Sequence, residues 1–197
     1  VRPAAPLAAA PAASLARPKL RPKIDTKTIV SLAMLTAIAY IVMLLSKTMP
    51  SVMFLDFDFK DVIICIGGFT FGPMTALLLS VMVAFIEMIT ISVTFLYGFL
   101  MNALATCSFC CTASFIYKKV HSKKGAVIGL ASGVVCLVCV MLLWNYLITP
   151  FYMGQPREVV EAMLLPVFLP FNLAKGGMNM AATLLIYPPV VGALRRA

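Results

Sequence analysis

The chain has 197 residues, 62% of them hydrophobic and only 12% charged, with a mean hydropathy of +1.01. A soluble domain clothes its surface with roughly a quarter charged residues, so this composition excludes a water-soluble globule and makes lipid the solvent. The net charge of +9 can signal nucleic acid in a soluble protein, but in a membrane protein the same surplus belongs on cytoplasmic loops, and no nucleic-acid partner is expected.

Residues 1–27 form a basic tail, rich in Ala, Pro and Arg up to Lys23 and without hydrophobic periodicity, and are expected to be disordered. Residues 28–192 are expected to form one all-α, integral membrane bundle of six transmembrane helices. Residues 193–197 are a basic C-terminus. The first span is Thr28 to Ser46, ended by Pro50. Val62 to Phe71 is apolar but only about half the ~20 residues of a straight span. Met74 to Ile91 follows the Gly72-Pro73 break, where proline suits the first turn of a helix. Phe95 to Tyr117 is the fourth span, Ala126 to Ile148 the fifth and Val167 to Val191 the sixth, with Pro188-Pro189 expected to fray its end.

Charge distribution supports the count. With the N-terminus inside, the tail, the loop Lys118 to Lys124 and the C-terminus hold twelve of the sixteen basic residues, while Asp56, Asp58, Asp61, Glu158 and Glu161 fall outside with Lys47, Lys60 and Arg157. Omitting the short second helix would put the two basic ends on opposite sides, against the positive-inside rule.

Polar side chains inside the spans point to a site. An ionisable group at the centre of a span costs about 2.5–3.5 kcal/mol on insertion scales, so it usually faces a cavity or a partner. Lys175 lies near the outer end of the sixth helix, and Asn172, three residues earlier, shares its face. Asn145 stands at the outer end of the fifth helix beside Trp144 and Tyr146, and Asn102 lies inside the outer end of the fourth. Helix-to-helix hydrogen bonding and an interfacial Trp/Tyr belt are the plain alternative. For Asn172 and Lys175 a ligand site is preferred, because no carboxylate is evident at their depth. Glu87, near the outer end of the third helix, either pairs with Lys175 or reaches the external surface. The loop from Phe54 to Asp61 alternates aromatic and acidic residues, which suits a flap with aromatics facing down and carboxylates in water. The segment Thr149 to Pro166 is read as a second external loop.

Other motifs carry less. Cys107-x-x-Cys110 and Cys136-x-x-Cys139 have metal-site spacing, but both fall in mid-span, where small thiols pack between helices, and no metal is expected. His121 sits in the basic loop. No phosphate-binding loop and no nucleophile with a base are present, so the chain is expected to be neither an enzyme nor an ATPase.

The stretches Leu-Asp-Phe-Asp-Phe-Lys-Asp (55–61), Gly-Phe-Thr-Phe-Gly-Pro (68–73), Asn-Tyr-Leu-Ile-Thr-Pro-Phe-Tyr (145–152) and Leu-Pro-Phe-Asn-Leu-Ala-Lys-Gly-Gly (169–177) resemble the S components of energy-coupling factor (ECF) transporters, of the riboflavin-binding type. The similarity covers about residues 28–192. It implies a six-helix bundle in a bacterial plasma membrane with both termini cytoplasmic, capturing riboflavin from outside as cargo rather than as a cofactor. It further implies association with a transmembrane coupling protein and two ATPases. Asn145, Asn172 and Lys175 match the family's polar ligand contacts, with Asn102 and Trp144 nearby. Phe54, Leu55 and Phe57 would wall the flavin ring. Ala33 and Ala37 on the first helix match the small-residue pattern where the coupling protein docks. Glu87 departs from the basic or neutral residue expected there. Rival readings are an S component for another vitamin, a small lipid-modifying intramembrane enzyme, or a structural subunit.

Overall fold

The computed structural model describes residues 26–48 and 55–194, with side chains described to residue 190. The helices are α1 (Thr26–Ser46), α2 (Lys60–Phe71), α3 (Pro73–Thr90), α4 (Phe95–Val120), α5 (Lys123–Leu147), α6 (Thr149–Met153), α7 (Arg157–Met163) and α8 (Leu169–Leu194), with a π-helical stretch, Leu164–Phe168, joining α7 to α8. Five of the helical segments are long and apolar enough to cross a bilayer: α1, α3, α4, α5 and the continuous run Arg157–Val190. The sixth element is α2, whose twelve residues rise only about 18 Å at 1.5 Å per residue, little over half of the ~30 Å hydrocarbon thickness.

Local sequence accounts for most boundaries. Gly72 takes φ +103, open to glycine at no steric cost, and Pro73 opens α3 at once, so α2 and α3 are joined by a single residue. Ser122 caps α5, its Oγ accepting from the Gly125 amide at 3.0 Å. The helices form one bundle around Ile64, Leu79, Val83, Phe109, Leu130 and Leu137. Its tightest seam lies between α4 and α5, where a Cβ at Gly129 would sit 2.7 Å from the Ala113 carbonyl oxygen and one at Gly133 2.7 Å from that of Phe109. Such close backbone approach is how membrane helices associate when lipid removes the hydrophobic drive. The outer faces carry exposed Met34, Ile41 and Leu45 on α1, Leu78 and Phe85 on α3 and Leu185 on α8, an inversion that lipid as solvent requires.

The structure corrects three expectations. The second helix begins at Lys60 rather than Val62, with Lys60 and Asp61 fully enclosed. The segment 149–166 is largely helical, comprising α6, α7 and the start of the π stretch. Pro166 lacks the amide hydrogen an α-turn needs, and the wider π turn around it lets the helix continue. Pro188 and Pro189 lie inside α8, which runs on to Leu194. Among the cysteines, Cys65 of α2 and Cys110 of α4 pack sulfur to sulfur at 3.2 Å, whereas Cys139 is exposed.

Candidate functional site

Because the long helices alternate in direction, one end of the bundle gathers the end of α1, the start of α2, the end of α3, the start of α4, the end of α5 and the start of α8. The basic residues Lys118, Lys119, Lys123 and Lys124 lie at the opposite end. A cavity of about 800 Å³ opens at the first of these ends, under the loop 55–59 and the turn 91–94. Such a volume is typical of a small-molecule site. Asn102, Asn145, Asn172, Lys175 and Leu55 all line it. Phe57 contributes indirectly, its ring 4.8 Å from that of Phe171, which forms part of the wall. Tyr97 and Tyr152 stack at 5.9 Å on another side. Trp144 lies elsewhere, packed against the bundle core, and its buried Nε1 has no hydrogen-bond partner among the described residues. Phe54 lies outside the described residues. Ala33 and Ala37 are exposed on the outer side of α1.

The polar groups are pre-oriented. Asn145 donates through Nδ2 to the Met141 carbonyl at 2.7 Å, and its Oδ1 accepts from the Thr149 hydroxyl at 2.8 Å. Asn172 donates to the Phe168 carbonyl at 2.7 Å, which leaves its oxygen and second amide hydrogen for a guest. The π stretch places that carbonyl, so the irregularity before α8 also aims a binding group.

Lys175 does not stand without a carboxylate. Asp58 turns inward from the loop and accepts from its ammonium at 2.9 Å. The same Asp58 oxygen meets Lys60 at 3.3 Å, Lys60 reaches Glu87 at 3.1 Å, Glu87 lies 3.6 Å from Lys47, and Lys47 pairs with Asp56 at 2.8 Å. The result is an alternating ladder of six charges, with Asp58, Lys60, Glu87 and Lys175 buried and Lys47 and Asp56 partly exposed. Burial pushes the Asp58 carboxyl upward, but Lys175 and then Lys60 outweigh it and hold Asp58 well below the usual carboxylate range.

Several expectations change here. Only Asp56 of the loop's carboxylates is exposed; Asp58 and Asp61 are enclosed, as is Lys60, which the charge pattern assigned to an external loop. The loop descends to a helix that starts inside the bundle, and buried ammonium partners make that descent affordable. Glu87 pairs with Lys60, not Lys175. Asn179, which sequence reading passed over, donates to the Asp58 carbonyl at 2.9 Å and fixes the loop from α8. Its signal was present: Asn179 stands one turn beyond Lys175 on the same helical face.

A family model described as "ECF transporter, substrate-specific component" matches residues 27–187. The chain is 27% identical over 179 residues to "Riboflavin transporter RibU" of Staphylococcus aureus (strain TCH60), covering 87% of this chain and 94% of that one. It is 28% identical over 160 residues to "Riboflavin transporter FmnP" of Bacillus subtilis (strain 168), covering 76% and 84%. Among solved structures, one described as "Structure and mechanism of the S component of a bacterial ECF transporter" superposes with a TM-score of 0.72 at 27% identity, over 85% of this chain and 97% of that one. The chain therefore belongs to the family of substrate-specific components of ECF transporters. It is a multi-pass membrane protein and a transport subunit rather than an enzyme.

Proposed function

We propose that the chain captures riboflavin in the cavity beneath the loop 55–59 and delivers it to an ATP-driven module. The observation that carries this reading is the meeting of Asn145, Asn172 and Lys175 at one cavity, in a chain whose relatives are named riboflavin transporters. The uracil-like edge of the isoalloxazine ring alternates donors and acceptors. Two oriented amides complement it, and an ammonium donates to a ring carbonyl. Leu55, Phe171 and the Phe57 ring behind it offer the flat apolar contact a tricyclic ring favours. Asn102 extends the polar lining. Riboflavin is cargo, and no resident cofactor takes part.

Lys175 already has Asp58, so the guest meets an ammonium that is held and aimed. Its charge is offset before the vitamin arrives, and the site presents hydrogen-bond donors without a net bare cation, which suits an uncharged ring. The cavity faces outward, and the tail, the loop around His121 and the C-terminus face the cytoplasm, in keeping with the positive-inside rule. Ala33 and Ala37 lie on an α1 face whose neighbours Met34, Ile38 and Ile41 are also exposed. That face is the surface on which a transmembrane coupling protein docks, linking the chain to two ATPases.

A panel of vitamins tested by fluorescence titration against the detergent-purified chain checks the reading. Riboflavin binds and other vitamins do not; a preference for a different vitamin would keep the family and overturn the substrate.

A further inference from the structure

The charges beneath the first loop do not balance. Lys47, Lys60 and Lys175 face Asp56, Asp58, Asp61 and Glu87, and setting aside the partly exposed Lys47–Asp56 pair leaves two ammonium groups against three carboxylates. Either way, carboxylates outnumber ammoniums by one. The surplus falls on Asp61, which is 1% exposed. Its Oδ1 accepts from the Thr106 hydroxyl at 2.8 Å, a neutral donor. Its Oδ2 is buried and has no hydrogen-bond partner among the described residues. Two neighbouring acceptors share that condition: Oδ1 of Asp58 and Oδ1 of Asn179. Asp58 lies three residues from Asp61, and the Asn179 amide donates to the Asp58 carbonyl at 2.9 Å, so the three residues meet at one junction, each at least nine-tenths buried.

An enclosed surplus carboxylate beside two unpartnered acceptors calls for a positive charge that accepts oxygen lone pairs. We propose that this junction of the first loop, α2 and α8 binds one monovalent metal cation through Asp61 Oδ2, Asp58 Oδ1 and Asn179 Oδ1. Carboxylate and amide oxygens suit a hard cation. A single charge brings the set to neutrality, whereas a divalent ion would overshoot. Sodium is the natural candidate, reaching the site from the cavity that Asp58 lines, with water completing its shell. The cation engages one oxygen of the carboxylate whose other oxygen holds Lys175. Its occupancy is therefore linked to the ammonium that faces the vitamin, and each ligand shifts the affinity of the other by the same factor.

The test uses the full chain in detergent, without vitamin, so its outcome is separate from the identity of the substrate. Thermal midpoints are compared in sodium, potassium and choline chloride at equal ionic strength across a pH series. Sodium at about ten times its dissociation constant raises the midpoint by about 3–5 °C over choline. Asp61→Asn removes that difference and melts above the wild type in choline, because it deletes the surplus charge; a merely structural Asp61 would melt lower in every salt. Calorimetric titration of the wild type with sodium chloride keeps the proposal testable if the variant does not fold. Equal midpoints in all three salts with no heat of binding would overturn the proposal. So would a dependence on pH alone, which would mean that a proton on Asp61, among Asp58, Lys60, Lys175, Thr106 and Cys110, supplies the charge.

Discussion

Lys175 and Asp58 show how one pair serves both fold and site. Removing one partner of a buried ion pair strands the other, at about 3–5 kcal/mol. Lys175→Met alone is therefore expected to unfold much of the protein and to say little about binding. The double variant Lys175→Met/Asp58→Asn keeps the charge balance and tests binding cleanly. Size-exclusion profile and melting should be retained, and riboflavin affinity should fall by about tenfold to a hundredfold, the worth of a charge-assisted hydrogen bond. Asn172→Ala removes an oriented amide and is expected to weaken binding by a similar factor with only a small change in melting, read by the same titration. Acid also separates roles. Asp58 is held below its usual range, so its contribution to stability is complete above the unfolded carboxylate value of about 3.9 and is lost only as pH falls through its lower folded value. Wild type and double variant should therefore melt alike from about pH 8 to pH 5, with the wild type falling below the variant only under about pH 4.

At the scale of elements, the alternation of apolar runs and basic loops located α1, α3, α4 and α5 to within a few residues, because a bilayer demands long uninterrupted helices. The segments leading into α2 and α8 were less legible. A stretch such as Leu55 to Asp61 reads as a solvated flap when each residue is judged singly, and its burial depends on Lys60, Glu87 and Lys175, which come from three different helices. Pairings between distant residues carry no local period, and for that reason Asp58 went unmatched to Lys175. Asn145, Asn172 and Lys175 were legible because lipid penalises each of them individually. The α4–α5 seam offers a direct check on packing. Gly133→Val would press a branched side chain onto the Phe109 carbonyl and ring, with an expected loss of at least about 1–3 kcal/mol, seen as a lower melting midpoint with or without vitamin. On α1, Ala33→Leu together with Ala37→Leu alters only an exposed face. Riboflavin binding should be unchanged while co-purification with the coupling protein is lost.

The molecule as a whole separates its tasks along the membrane normal. One end holds the cavity and a nearly closed set of ion pairs; the other holds the lysines of the loop around His121, and the outer face of α1 is apolar and exposed. The short α2 starts inside the bundle, and the loop before it descends far enough to bring Asp58 onto Lys175 of α8. Capture then needs no covalent chemistry, only a preformed pocket whose polar groups are already aimed, which lowers the entropy lost on binding. Equilibrium titration of the purified chain with riboflavin, followed by quenching of flavin fluorescence, tests that claim most directly. One molecule per chain with a nanomolar dissociation constant, about −12 kcal/mol, is the predicted result, weakened in Lys175→Met/Asp58→Asn; a folded chain that leaves flavin fluorescence unchanged at micromolar concentrations would contradict it.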